Sequence, residues 1–220
     1  MIARNLISNW LQPLKTSDTG KDALNRMNEY KVSHLPIVNN ENFLGLISEQ
    51  DIIDFNNVGE ALGSHRLTLT NPFSGEHQYI FDVLKLANEF NLSVIPVVDD
   101  HEKYIGCITL QTLLGKLAQT LSADSPGGYV VLEMSENDYS LTEIANIVES
   151  NNGKVLSTFL YSNNDSTRIN VVLKLNTIEI GPILQTFDRY GYSIQASFGN
   201  EENEEDLKER YDSLMNYLNI

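Results

Sequence analysis

A chain of 220 residues with 41% hydrophobic side chains is long enough to bury a core, and that share is ordinary for a globular protein. Its net charge of −15 argues against general affinity for nucleic acid, which needs clustered cations. No apolar run approaches the roughly 20 residues that cross a bilayer. The opening Met1-Ile2-Ala3-Arg4-Asn5-Leu6-Ile7 is too short and too polar for a signal peptide, so a cytoplasmic location without a membrane partner is expected.

Ile2 to Leu11 reads as a short lead-in helix ended by Pro13. Thr19-Gly20-Lys21-Asp22 has the pattern of a capped helix start, and Ala23, Leu24, Met27 and Tyr30 then recur at the spacing of one apolar helix face. Two strands, Leu35–Val38 and Phe43–Ile47, flank the turn Asn39-Asn40-Glu41-Asn42, and a helix opens at Ser48. A polar connector over 56–64 leads to an expected strand, Arg66–Thr70, and a turn at Asn71-Pro72.

The plan then repeats: helix Ile80–Phe90, strand Val94–Val98, a turn at Asp99-Asp100-His101-Glu102, strand Tyr104–Ile108 and helix Leu110–Leu121. Asp22, Leu24, Glu29 and Tyr30 correspond to Asp82, Leu84, Glu89 and Phe90, and Ser33-His34-Leu35-Pro36-Ile37-Val38 to Ser93-Val94-Ile95-Pro96-Val97-Val98. A register of coincidences outranks any single motif, so residues 1–62 and 63–121 are read as two copies of one unit. Cys107, the only cysteine, falls in the apolar pattern of the last strand. It excludes an intramolecular disulfide and a cysteine zinc site and reads as a buried small hydrophobe.

Ser122-Ala123-Asp124-Ser125-Pro126-Gly127-Gly128 is a linker by composition, and the pattern changes beyond it. Strand Tyr129–Met134, a helix carrying Leu141, Ile144, Ala145 and Val148, strands Val155–Tyr161 and Arg168–Lys174, helix Ile178–Tyr190 and strand Tyr192–Phe198 follow in turn. That order over 129–198 is β-α-β-β-α-β, the ferredoxin-like arrangement. The segment 199–220 holds seven acids against Lys208 and Arg210 and reads as an acidic C-terminal helix over Glu204–Leu218, with a solvated face that aids solubility. The expected fold class is α+β.

The doubled hydrophobic-Pro-hydrophobic strands at Pro36 and Pro96, the glycines Gly45 and Gly106 and the helix starts at Asp22 and Asp82 resemble a tandem pair of CBS domains, the Bateman module of two β-α-β-β-α repeats. The second half resembles an ACT-type domain through its element order and its Tyr190-Gly191-Tyr192 turn. The combination is similar to the CBS–ACT proteins grouped with the acetoin utilisation protein, which are regulatory.

The resemblance implies an adenosine-containing ligand, such as AMP, ADP, ATP or S-adenosylmethionine, in a cleft between the repeats. Aliphatic side chains can sandwich adenine, and a carboxylate can accept both ribose hydroxyls. The family's ribose motif falls on Ser48-Glu49-Gln50-Asp51, which is also a plain helix-capping arrangement; the two roles can coexist. Thr109-Leu110-Gln111-Thr112 puts a threonine in place of that carboxylate, so at most one competent site is expected. By resemblance Val32, Ser33, His34 and Pro36 line the base pocket, and Lys15, Thr16 and Asp18 lie in its entrance loop. Arg4, Lys15, Lys31 and Arg66 are the scattered cations available to phosphates. With so few of them, a highly charged nucleotide would need Mg²⁺, and no resident cofactor is expected.

ACT domains, by resemblance, bind amino acids at a subunit interface through a glycine after the first strand. Ser135-Glu136-Asn137-Asp138-Tyr139-Ser140 offers none, which favours pairing with another ACT domain. His34, His65, His77 and His101 stand in no metal-binding spacing, and no nucleophile or zinc-protease motif occurs, so an enzyme is not expected. The expectation is a homodimeric ligand sensor; the alternative is a ligand-free dimerisation scaffold with degenerate sites.

Overall fold

A computed structural model describes residues 1–65, 71–162 and 167–199. The chain divides into two compact units, Met1–Leu117 and a second beginning at Ala118. The expected strand over 66–70, most of the hairpin loop over 162–166 and the acidic helix over 204–218 lie outside the described residues.

In the first unit, Thr19 caps helix α1 (Gly20–Tyr30) in a full capping box with Asp22. Strands β1 (His34–Asn39) and β2 (Asn42–Ser48) pair antiparallel, and helix α2 (Glu49–Ile53) follows directly. The second repeat supplies β3 (Ser74–Gly75), α3 (Ile80–Glu89), β4 (Val94–Val98), β5 (Tyr104–Thr109) and α4 (Leu110–Thr120). β3 pairs parallel to β4 through Ser74 and Val97; its counterpart in the first repeat is a single parallel bridge, Leu14 to Ile37. The expected β-α-β-β-α plan is therefore present twice.

The copies share their irregularities. Both hairpins shift register at one step, Ile37/Val38 and Val97/Val98, and each puts a glycine opposite the residue before the shift, Gly45 and Gly106. Gly106 has φ +150°, and an added Cβ would overlap Ile7 of the lead-in segment, so backbone conformation and close approach both select glycine.

The two cores are completed reciprocally. Leu46 of β2 packs with Ile80, Val83, Ile95 and Ile108 of the second repeat. Val94 and Cys107 of the second repeat pack with Leu14, Leu35, Ile37 and Ile52 of the first. Leu46 and Cys107 each follow the strand glycine by one residue, so equivalent positions exchange between the cores. Burial pushes the Cys107 thiol up to about 11, as for the small hydrophobe its pattern suggests.

The lead-in segment corrects the expected helix over Ile2–Leu11. Only Ala3–Leu6 is helical, as one 3₁₀ turn. The amide that would continue it is committed elsewhere: Ser8 N donates to Cys107 O (2.8 Å), while the opening amides Ala3 N and Arg4 N, free in any helix start, bond to Gln78 O (2.8 Å) and Glu76 O (3.0 Å). Ala3 and Leu6 are buried in the second repeat's core, so the chain starts on the second repeat and crosses to the first at Leu11 and Leu14.

The second unit contains β6 (Tyr129–Ser135), α5 (Leu141–Ser150), β7 (Val155–Tyr161), β8 (Arg168–Leu175), α6 (Gly181–Arg189) and β9 (Ser193–Phe198). All pairings are antiparallel in the order β7-β8-β6-β9, so the first and third strands of the unit are central. Alternate residues Val130, Leu132, Met134, Val171, Leu173 and Leu175 form the core with Ile144, Ile147, Val148, Ile183 and Phe187 of the helices. α6 is shorter than the expected Ile178–Tyr190, with Pro182 in its first turn. Gly128, expected in the linker, is tied to this unit: its N donates to Thr177 O (2.8 Å) and its O accepts from Leu175 N (2.9 Å).

Candidate functional site

The β1–β2 ladder places His34 directly opposite Ser48, where β2 gives way to α2. Ser48 Oγ and Ser48 N both donate to Asp51 Oδ2 (2.7 and 2.8 Å), and Asp51 N donates to Ser48 Oγ (3.1 Å). This is a complete capping box. It uses one carboxylate oxygen; Oδ1 of the exposed Asp51 accepts no hydrogen bond among the described residues. Capping thus leaves one carboxylate oxygen as a further acceptor.

His34 sits at the junction of the repeats. Ser33 N donates to Ser93 Oγ (3.0 Å), and His34 Nδ1 accepts from Ser93 N (3.3 Å) and lies 3.1 Å from the hydroxyls of both serines. An amide N–H can only donate, so the ring is neutral with its proton on Nε2. Burial holds the His34 pKa below the ordinary imidazole value, with the Asp51 charge opposing. The sign follows: a depressed folded-state pKa contributes stability above about pH 6.5, lost as the pH falls through the folded value. The urea midpoint should therefore drop more between pH 7.5 and pH 5 in wild type than in His34→Gln; equal drops would remove His34 as the cause.

Ser33, His34, Ser48 and Ile53 of the first repeat and Phe90 and Asn91 of the second line a cleft of about 420 Å³. Val32, Ser33 and Lys31 line an adjoining groove of about 410 Å³ that reaches Ser93. Both volumes suit a small molecule. Among the expected site residues, the structure brings Ser33, His34 and Ser48 together, with Asp51 close enough to influence His34; Val32 is next door. Pro36 is a buried strand residue opposite Leu46, its carbonyl accepting from Leu14 N (2.8 Å).

Thr16 lies elsewhere. Its Oγ1 accepts from Asn39 Nδ2 (2.8 Å) at the far end of β1 from His34, which at ~3.3 Å per strand residue is roughly 15 Å away. The cations are also dispersed: Arg4 is paired with Glu76, Lys31 Nζ donates to Asn28 Oδ1 (3.1 Å), and Arg66 is outside the described residues.

In the second repeat the position equivalent to Asp51 is engaged by its own chain, although a groove of about 330 Å³ lined by Leu84, Asn88, Asn91, Ser93 and Leu110 stands open beside it. Thr112 Oγ1 lies 3.0 Å from both Thr109 Oγ1 and Ser8 Oγ, and Ser8 is buried. Local sequence shows the missing carboxylate at Thr112 but cannot show that Ser8 arrives there. In the second unit, Glu133, Asp138, Glu143, Arg168 and Tyr192 line a cleft of about 390 Å³, with Arg168 Nε 3.3 Å from Glu133.

Comparison with known proteins places this architecture. The family model described as "CBS domain" matches twice, over residues 12–57 and 73–119, so the first unit carries a tandem pair of CBS domains. Among solved structures, a CBS domain pair/ACT domain protein from Thermotoga maritima is 22% identical, with 55% of this chain and 99% of that chain covered at a TM-score of 0.49. CBSX2 in complex with AMP is 24% identical, covering 54% and 96% at 0.46. The CBS domains of a transcriptional regulator from Streptococcus pneumoniae are 18% identical, covering 52% and 98% at 0.46.

Proposed function

We propose that this is a non-catalytic regulatory protein of the CBS–ACT group, whose CBS pair binds one adenosine-containing ligand between its repeats. The observation that carries the reading is a cleft walled by Ser33, His34 and Ser48 of the first repeat and Phe90 and Asn91 of the second, with Asp51, whose Oδ2 completes the cap, near enough for its charge to act on His34. There the carboxylate would accept ribose hydroxyls, Ile53 and Phe90 would contact the base, and Ser33 and Asn91 would meet its polar edge. A ligand spanning both repeats biases their relative packing only if it binds two arrangements unequally. The second unit is read as an ACT-type domain that dimerises or relays that change in a cytoplasmic homodimer.

Calorimetric titration of AMP, ADP, ATP with and without Mg²⁺, and S-adenosylmethionine tests it. Asp51→Asn is the informative variant, because its amide oxygen can still accept from Ser48 while the charge is gone. One ligand per chain is expected, weakened at least tenfold in the variant, as fits loss of a charge-assisted hydrogen bond worth about 1.5–3 kcal/mol. Unchanged affinity in Asp51→Asn would refute the ribose role. Absence of binding by nucleotide-free wild type would favour the second reading, a ligand-free dimerisation scaffold. The Ser8–Thr112 contact supports that alternative, since the second repeat's counterpart of Asp51 carries no carboxylate and is bonded within the chain.

A further inference from the structure

Away from that cleft, two loops of the second repeat converge on a set of side chains that the adenosine reading does not use. Glu76 and His77 lie between β3 and α3, and Asp100 lies in the β4–β5 turn. His77 Nε2 stands 3.9 Å from Glu76 Oε1 and 3.6 Å from Asp100 Oδ2, and the three donor atoms all fall within 4.8 Å of one another. We propose that Glu76, His77 and Asp100 form a binding site for a divalent transition-metal ion of the zinc type.

The donor chemistry is one imidazole nitrogen and two carboxylate oxygens, a set that zinc accepts with water completing its tetrahedron. Bonds of about 2.0–2.2 Å put neighbouring donors about 3.4 Å apart in that geometry. The two measured separations exceed this by a few tenths of an ångström. The side chains that must move, His77 and Asp100, are 65% and 75% exposed and free to do so.

Glu76 is the fixed member. Its side chain is buried, and Arg4 binds Oε2, which orients the carboxylate and leaves Oε1 on the side of His77. Partners of this kind commonly hold a metal-ligating carboxylate in place. Arg4 also offsets one of the two carboxylates, leaving the charge of the other for a bound cation. The backbone is braced as well. Glu76 N donates to Val98 O (2.9 Å), joining the two loops, and Gln78 Oε1 accepts from Ser74 Oγ (2.7 Å) and Gly75 N (3.1 Å). Asp99 Oδ1 accepts from His101 N (2.9 Å) and Lys103 N (2.8 Å), which fixes the turn carrying Asp100. An ion here would clasp the two loops, and through Arg4 the lead-in segment, into one assembly.

The test is competition of the full-length, metal-stripped protein against a chromophoric chelator for Zn²⁺, with Co²⁺ absorption as a second readout. One Zn²⁺ per chain with micromolar affinity is expected, and His77→Ala and Asp100→Asn should each weaken it at least tenfold. His101→Ala, in the same turn but outside the cluster, should leave it unchanged and reports the background binding of so acidic a chain. Co²⁺ should give a ligand-field band that disappears in His77→Ala. Retention of wild-type affinity in both cluster variants, or binding equally weakened by His101→Ala, would overturn the site.

Discussion

Gly127→Ala should unfold the second unit at markedly lower denaturant than wild type, with a loss of about 4 kcal/mol. Gly127 has φ +142°, and an added Cβ would overlap the Leu175 carbonyl oxygen and stand 2.9 Å from its carbon. The first term is backbone strain of roughly 1–3 kcal/mol. The second is overpacking of roughly 1–3 kcal/mol, near its upper end here because the obstructing atom is main chain and cannot swing aside. The neighbouring contacts leave little room for relaxation: Lys174 Nζ donates to Gly127 O (2.7 Å), and Gly128 pairs with Thr177 and Leu175. Urea unfolding followed by far-UV circular dichroism measures the effect. Wild-type behaviour of the variant would mean that the entry to β6 is not the constraint its geometry implies.

Leu46→Ala should cost about 2–5 kcal/mol, the range for truncating a buried leucine. Leu46 is 3% exposed and lies among residues of the second repeat although it belongs to a strand of the first. Its loss should therefore be felt in both repeats at once. The protein's only tryptophan, Trp10, packs edge-on against Tyr30 of the first repeat, and so reports from a repeat other than the one whose core loses the side chain. Its fluorescence midpoint should shift as far as the circular dichroism signal of the CBS pair expressed as residues 1–121, which keeps α4 whole. A Trp10 midpoint that stayed in place while the dichroism moved would show that the repeats melt separately.

The contrast between what the sequence disclosed and what it withheld is a contrast between local and distant interactions. The boxes at Thr19–Asp22 and Ser48–Asp51 were legible because three residues suffice to form them. The two CBS repeats were legible because their apolar spacing recurs with the same strand prolines and glycines. The lead-in segment departs from the helix its pattern suggests because Ser8 N bonds to Cys107 O, a partner that no local pattern names. Thr16 was grouped with the His34 cluster by family position, whereas the ladder sets it at the other end of β1, bonded to Asn39. Glu76, His77 and Asp100 escaped notice for a related reason: only the pairing of β3 with β4 brings the third donor to the first two.

The crossed path of the first unit also constrains the order in which it can form during synthesis. Ala3 and Leu6 leave the ribosome well before the core that receives them, which is built from Leu46 and residues of the second repeat from Ile80 to Leu113. The first repeat, complete in sequence by Leu62, still lacks Val94 and Cys107 at that stage. Domains generally fold as units as the chain emerges. Here segments made sooner must wait for ones made later, so the nascent chain carries an unfinished apolar surface until α4 has cleared the exit tunnel, and that interval is when a chaperone would find most to bind.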